Sequence, residues 1–299
     1  MTSAAIILIL ISAVTHAVWN LISKREDPSP AFFLYATTFG CLCMVPFLLP
    51  YIGIAAAFPA HVWYLLLATG LCQAIYYCGL AGAYRSGHLS VAYPLARSIP
   101  VVLVTAINMN GHHFGAWTLT GMLLIVAGGI ILPVRRWSVW TLRHYLHVAS
   151  LFALMAAVGT AGYSIVDDAA LRVLRSCPDV HANRIIVTMV YALLEGISST
   201  AWMAGILLVG RRMMEDTQKT PRPKLGNALL AGIGIYLAYS LVLLAMTFAR
   251  NVSYIVAFRQ LSIPIGALLG ITVLREPHNT AKMLGIATMV VGLVLVAMN

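Results

Sequence analysis

The sequence predicts an all-α polytopic membrane protein with ten transmembrane helices arranged as two inverted five-helix repeats. Three observations support this fold class. Of the 299 residues, 61% are hydrophobic and only 9% are charged, a composition far outside that of soluble proteins. The apolar residues form continuous runs, which indicates spanning helices rather than the alternating strands of a barrel. The third observation is a motif that occurs twice, once in each half of the chain.

Ten apolar segments have the length that a spanning helix needs, which is about 20 residues. In order along the chain, these segments cover residues 3–23, 30–50, 61–84, 88–109, 115–134, 147–171, 183–210, 225–248, 252–274 and 279–298. The largest polar linkers lie at 211–224 and 135–144, and neither is long enough to form a separate soluble domain.

The duplicated motif reads Val-Ala-Tyr-Pro-Leu-Ala-Arg-Ser-Ile-Pro at 91–100 and Val-Ala-Phe-Arg-Gln-Leu-Ser-Ile-Pro at 256–264. The same offset that superimposes Ser-Ile-Pro also places Gly121 and Gly128 on Gly285 and Gly292. We therefore expect one repeat in residues 1–140 and a second in residues 141–299. Because five is odd, the second repeat enters from the opposite face, an arrangement known from secondary transporters.

Charge predicts orientation rather than nucleic-acid binding. The formal net charge is +10, but the basic residues lie mostly in short loops, with 13 on one side of the predicted membrane and 4 on the other. The positive-inside rule makes the richer side cytoplasmic and places both termini outside. We expect a lipid bilayer around the chain and no nucleic-acid partner. The five cysteines have no metal-binding or redox spacing.

Arg97 and Arg259 lie within apolar segments, where a charged side chain normally faces a protein interior or a wet cavity. Tyr93 precedes Arg97 by one helical turn. A guanidinium binds carboxylate or phosphate in a forked geometry, so these residues favour a path for anionic or zwitterionic solutes. Alternatively, each arginine snorkels to the interface or pairs with Glu195 and an aspartate.

Two further helices carry polar stripes. In the seventh segment Tyr191, Glu195 and Trp202 fall on one helical face, and Glu195 is either a proton site, a counter-ion or part of a structural helix contact. In the first segment His16, Trp19 and Asn20 share a face. An imidazole there changes charge between about pH 5 and 8, although packing is the alternative role.

The corresponding stripe of the second repeat consists of Thr160, Tyr163, Ser164 and Asp168. Asp167 and Asp168 are expected near a helix end, as solvated aspartates, with a role in substrate binding as the alternative. Aromatic and amide side chains at related places in the two halves complete a candidate chamber, with helix packing as the alternative. They are Gln73, Tyr76, Tyr77 and Tyr239.

The chain resembles the drug/metabolite transporter superfamily, specifically its ten-helix EamA-type members. The resemblance rests on Pro264, the turn Leu274-Arg275-Glu276-Pro277, and the glycines Gly285 and Gly292. It departs from the pattern at His112, which stands where the first repeat would match Glu276. The resemblance implies a proton-responsive position at His16, eight residues before Lys24. It also implies cytoplasmic termini, against the charge bias, and we retain the orientation that the charges predict.

Together these features predict a secondary transporter that moves a small organic metabolite across the cytoplasmic inner membrane by alternating access. The substrate class is an amino acid, another zwitterion or an organic anion, with export as one possible direction and proton coupling as one energy source. The alternatives are a flippase for a phosphate-bearing lipid and, with less support, an intramembrane lipid-modifying enzyme. We expect no enzymatic activity, no cofactor, and a monomer or homodimer.

Overall fold

A computed structural model shows that all regular structure among its described residues is helical. The described residues are 3–25, 29–86, 99–107, 115–131, 148–178, 180, 182–213, 224–249, 251–272 and 279–297. Within them, seven helices are long and apolar enough to cross a membrane. Large side chains such as Phe47 and Tyr64 are exposed on the outer surface, as expected where the solvent is lipid. The prediction of a multi-pass helical membrane protein is confirmed.

The helices, numbered in chain order, are α1 (Ser3–Arg25), α2 (Pro30–Leu48), α3 (Ala60–Ser86), α4 (99–107), α5 (Ala116–Ile131), α6 (Val148–Ser176), α7 (Arg184–Met213), α8 (Leu225–Thr247), α9 (Val252–Arg259), α10 (Ser262–Thr272) and α11 (Thr280–Ala297). A 3₁₀ segment, Leu49–Ala57, extends α2. Helix α6 ends five residues beyond the predicted boundary at 171.

Polar side chains cap the first turns of α2, α7 and α9. Ser29 caps α2 by accepting a hydrogen bond from the Phe32 amide at 3.1 Å, and Pro30 occupies the first turn, where a missing N–H costs nothing. Asn183 caps α7 and Asn251 caps α9 in the same way, each through its side-chain oxygen at 2.8 Å. These caps fix where α7 and α9 begin.

The helices pack in a small number of extensive pairs. Helix α3 lies along α6, α1 lies along α8, and α5 lies along α11. Helix α2 also contacts α8, and α3 also contacts α7. In the pair α3–α6, a Cβ added at Gly159 would lie 2.8 Å from the Tyr76 amide nitrogen. Glycine therefore allows this close approach, since small residues let membrane helices meet backbone to backbone.

The predicted helix at 252–274 is broken into α9 and α10. The amides of Gln260 and Leu261 bond carbonyls three residues back, at 3.1 and 3.0 Å, which tightens the turn. Pro264 has no N–H to donate, so the Gln260 carbonyl accepts from Ile263 instead, at 2.9 Å. Irregular backbone at membrane depth occurs where protein or a cavity surrounds it.

Candidate functional site

A chamber lies between α1, α3, α6, α8 and the end of α9. Its lining is mainly aromatic with a few polar groups, and it consists of Ser12, His16, Trp19, Gln73, Tyr76, Tyr77, Tyr163, Ile235, Ala238, Tyr239, Val242 and Arg259. Only about 20 Å³ of it is open to the centre of a water-sized sphere, which is room for about one water molecule. The side chains therefore nearly fill the chamber in this conformation.

Arg259 is the last residue of α9, so the break in the helix decides where its side chain lies. The interruption leaves its backbone carbonyl without the usual helical donor, and the Ser262 hydroxyl donates to that carbonyl at 2.9 Å. In this second copy of the Ser-Ile-Pro motif, Ser262 thus satisfies the carbonyl and Pro264 maintains the break. Arg259 is 7% exposed.

The guanidinium of Arg259 is held by tyrosines rather than by a carboxylate. Its Nη2 donates to the Tyr163 hydroxyl at 2.8 Å, and its Cζ lies 5.5 Å from the Tyr163 ring centre and 5.4 Å from that of Tyr239. Such distances permit cation–π attraction. Its Nη1 is buried without a hydrogen-bond partner among the described residues. The sequence also allowed an ion pair between Arg259 and Glu195. No such ion pair is present among the described residues.

Tyrosine rings form a continuous wall beside Arg259. The rings of Tyr163 and Tyr239 meet edge to face at 5.2 Å, and those of Tyr76 and Tyr163 at 5.9 Å. Tyr77 lies 5.0 Å from Tyr76 and stacks on Phe33 at 5.3 Å. Edge-to-face contacts fix the rings, because the positive edge of one faces the negative face of the next. The wall offers flat apolar surface close to a cation.

A fully buried carboxylate, Asp167, lies behind this wall on α6. Its Oδ1 accepts from the Tyr191 hydroxyl at 2.8 Å, and its Oδ2 accepts a short hydrogen bond from the Tyr239 hydroxyl. Tyr239 therefore contacts Asp167 with its hydroxyl and Arg259 with its ring. The expectation of a solvated aspartate near a helix end is wrong at Asp167, since α6 continues to Ser176 and packs this side chain inside the protein.

Glu195 is the second buried carboxylate, and the Gln73 amide separates it from the chamber. The Gln73 Nε2 donates a short hydrogen bond to Glu195 Oε1, and Glu195 Oε2 is buried without a partner among the described residues. Gln73 itself lines the chamber. Gln73 thus links Glu195 to the chamber.

Helix α1 forms the opposite wall. Trp19 donates through Nε1 to His16 Nδ1 at 3.1 Å, and the two rings meet edge to face. The Asn20 amide bonds the His16 carbonyl at 3.0 Å, within the same helix. Ser12 donates to the Ala238 carbonyl at 2.7 Å, which joins α1 to α8. A Cβ at Gly234 would lie 2.7 Å from Trp19 Cβ, so glycine makes room for the indole.

The structure brings most of the predicted site residues together. Eight of them line the chamber: His16, Trp19, Gln73, Tyr76, Tyr77, Tyr163, Tyr239 and Arg259. Glu195 lies one hydrogen bond behind it, through Gln73, and Tyr191 lies two behind it, through Asp167 and Tyr239. Trp202 lies elsewhere, because its indole donates to the Leu67 carbonyl at 3.0 Å on the outer surface and is 40% exposed. Tyr93 and Arg97 lie outside the described residues.

The sequence analysis missed Asp167 because it grouped Asp168 with the polar stripe instead. Tyr163 and Asp167 are four residues apart and so share a face of α6. Asp168 is also buried, at 8% exposed, but it pairs with Arg172 Nε at 2.8 Å, so the expectation of a solvated aspartate is wrong there too. Continuing the spacing from Tyr163 would have selected the correct aspartate.

No family model matches the chain, and no curated protein matches it. Solved structures do match. One, described only as "Crystal structure of protein", has a TM-score of 0.71 and is 17% identical, with 100% of this chain and 98% of that chain covered. This likeness covers the whole length and concerns the fold alone.

Proposed function

We propose that the protein is a secondary transporter that moves a small organic zwitterion or anion, of which an amino acid is the main candidate, across the cytoplasmic membrane. The observation that carries the proposal is the buried guanidinium of Arg259, which faces an aromatic chamber with Nη1 lacking a partner among the described residues. A buried cationic donor without an acceptor is costly. A carboxylate on a substrate would satisfy it with a charge-assisted hydrogen bond.

The other chamber groups suit the rest of such a substrate. Because the Gln73 nitrogen donates to Glu195, the Gln73 amide oxygen is the group that would accept a hydrogen bond from an ammonium group. The rings of Tyr76, Tyr163 and Tyr239 favour a flat or apolar side chain. Because these groups converge on a chamber that is nearly full, substrate binding requires the surrounding helices to separate. Such a change is what alternating access demands of a transporter.

We further propose ten spanning helices in two inverted repeats, and the helix pairs support this. In such a repeat α1 corresponds to α6, α2 to α7, α3 to α8 and α5 to α11. A contact between α3 and α6 then predicts one between α8 and α1, and a contact between α2 and α8 predicts one between α7 and α3. All four contacts are present. The pair α5–α11 maps onto itself.

The glycine contacts between α5 and α11 follow the same correspondence between repeats. A Cβ on Gly121 would lie 2.6 Å from the Gly292 carbonyl, and one on Gly128 would lie 2.7 Å from the Gly285 carbonyl. These two contacts are interchanged when Gly121 is exchanged with Gly285 and Gly128 with Gly292, the correspondence found in the sequence. An antiparallel pair related by a two-fold axis has this property, and inverted repeats meet in this way.

Membership of the EamA-type drug/metabolite transporters is part of the proposal and rests on the motifs from Pro264 to Gly292. The proposed orientation, with both termini outside, rests on the distribution of Lys and Arg. No contact among the described residues favours the lipid flippase or the lipid-modifying enzyme over a transporter.

The test is a ligand screen of the purified full chain followed by flux measurement. A ligand that binds only the folded protein raises its apparent thermal stability, so Tm is measured with α-amino acids, 2-hydroxy acids and polyamines. We expect stabilisation by carboxylates, and uptake of the same compounds into liposomes that contain the protein. Stabilisation by polyamines alone, with no effect of any carboxylate, would contradict the role of Arg259.

A further inference from the structure

Two neighbouring aspartates on α6 have different partners. Asp167 is fully buried among α6, α7 and α8, where it bonds Tyr191 and Tyr239. The next residue, Asp168, is also buried, at 8% exposed, but it pairs with Arg172, whose side chain is 44% exposed. Only Asp167 is bonded to a tyrosine of the chamber, so Asp168 serves as the control for the loss of one carboxylate from α6.

Both carboxylate oxygens of Asp167 are hydrogen-bonded. Each accepts from a phenolic hydroxyl. Hydrogen bonds of this kind favour the charged form of a carboxyl group, and the Arg259 guanidinium lies beside the ring of Tyr239. Asp167 is therefore the carboxylate placed to balance Arg259 from behind the chamber wall.

Tyr239 connects that charge to Arg259. The hydroxyl of Tyr239 is bonded to Asp167, and its ring lies 5.4 Å from the Arg259 Cζ. Tyr163, one turn before Asp167 on α6, accepts from the same guanidinium. Asp167 thus positions Tyr239, one of the two tyrosines that hold Arg259, without lining the chamber itself.

The charges around the chamber then decide which ligands it accepts. The neighbouring groups that carry charge or titrate, besides Asp167, are His16, Tyr76, Tyr77, Tyr163, Tyr191, Glu195, Tyr239 and Arg259. Two ligands that share a carboxylate but differ by one ammonium group meet Arg259 alike. They differ at the ammonium group, because only that group is attracted to the buried carboxylates.

We propose that Asp167 sets the charge selectivity of the chamber: by balancing Arg259 through Tyr239, it makes the chamber favour a zwitterion over an organic anion of the same skeleton. This inference rests on the proposed function and adds a residue that the function alone does not require. Asp167 acts through other side chains, so it is a specificity-determining residue rather than a direct ligand contact.

The experiment compares matched ligand pairs on the full chain. Alanine is paired with lactate and phenylalanine with phenyllactate, since each pair differs only in an ammonium or a hydroxyl group. Binding constants for both members are measured with wild type, Asp167→Asn and Asp168→Asn. We expect Asp167→Asn to shift the binding ratio toward the hydroxy acid by about tenfold, and we expect Asp168→Asn to leave it unchanged.

Two more variants separate selectivity from folding. Asp167→Glu keeps the charge and should keep the wild-type ratio, while Tyr239→Phe removes the link and should shift the ratio in the direction of Asp167→Asn. If Asp167→Asn does not fold, the binding ratio measured with Tyr239→Phe tests the inference in its place. An unchanged ratio in the folded variants overturns the inference alone. A wild-type protein that binds none of the four acids overturns the proposed function and this inference with it.

Discussion

The chamber and the α5–α11 interface differ in what lies between their helices. In the interface the helices meet backbone to backbone, with the Gly292 Cα hydrogens against the Gly121 carbonyl. The helices around the chamber also approach closely in places, as α3 and α6 do at Gly159, but the chamber itself is filled by large rings and the Arg259 guanidinium. Beside the chamber, Arg259 Nη1 and Glu195 Oε2 remain without partners in the described part of the chain. This difference fits the proposed transporter, in which the chamber would open while the α5–α11 contact stayed closed.

The largest effect is expected when the positive charge of Arg259 is removed from the chamber. Arg259→Gln keeps a polar hydrogen-bonding side chain, although a shorter one, and loses the charge, so we expect carboxylate binding to fall by about 100-fold, in line with the 2–5 kcal/mol typical of a buried charged partner. Arg259→Lys should restore only part of this loss, because a lysine lacks the planar fork. Binding constants for phenylalanine and phenyllactate provide the measurement.

Arg172→Gln is the matched control, since it removes the same charge from the outer surface of α6. Its binding constants should equal those of wild type. Equal losses in the two variants would mean that net charge, rather than the chamber, governs binding.

The next test adds one methyl group to the rigid side of the comparison. In Gly292→Ala the new Cβ would lie 2.5 Å from the Gly121 carbonyl oxygen and 2.9 Å from the Ile125 amide nitrogen. Backbone atoms cannot rotate away, so the helices must part, at a cost of about 1–3 kcal/mol. We expect a lower Tm in detergent, with ligand affinity unchanged in the protein that remains folded.

Gly205→Ala provides the comparison, because a Cβ there meets nothing within 4 Å. It should leave Tm unchanged or raise it slightly, since alanine stabilises a helix relative to glycine. If both variants melt alike, the α5–α11 contact is not the tight interface that the structure describes.

The sequence predicted the class of fold and most of the chamber, and the reasons are physical. Apolar runs reveal membrane helices because lipid leaves the backbone no other partner. Helical spacing selected the inward faces of α1 and α6, including Trp19 and Tyr163. Both signals are local, so one sequence suffices to detect them.

What the sequence could not predict depends on contacts between helices. Composition placed Asp167 at a solvated helix end, yet three packed helices bury it. Spacing placed Trp202 on the Glu195 face of α7, but α3 meets that helix where the indole reaches the Leu67 carbonyl at the outer surface. Periodicity shows which side chains share one face of a helix. It does not show which neighbouring helix covers each part of that face.

A smaller effect is expected from the side chains proposed to exchange protons. In liposomes that contain His16→Ala or Glu195→Gln, we expect substrate accumulation to lose its dependence on the pH gradient while exchange of substrate across the membrane continues. The reason is that an imidazole or a carboxylate near the substrate path can take up and release a proton, whereas alanine and glutamine cannot. If both variants still accumulate substrate in response to the gradient, proton coupling at these two residues is contradicted.

The smallest effect is expected at Trp202, which tests whether the chamber or the helical stripe defines the site. Trp202→Phe removes the hydrogen bond to Leu67 but alters nothing that lines the chamber. An exposed hydrogen bond contributes about 1 kcal/mol or less, so we expect transport to stay within about twofold of wild type and Tm to fall slightly. Tyr163→Phe, which removes the acceptor for Arg259 Nη2, should reduce binding more strongly. If Trp202→Phe impaired transport as much as Tyr163→Phe did, the functional surface would follow the face of α7 outward, and the chamber would be only part of the path.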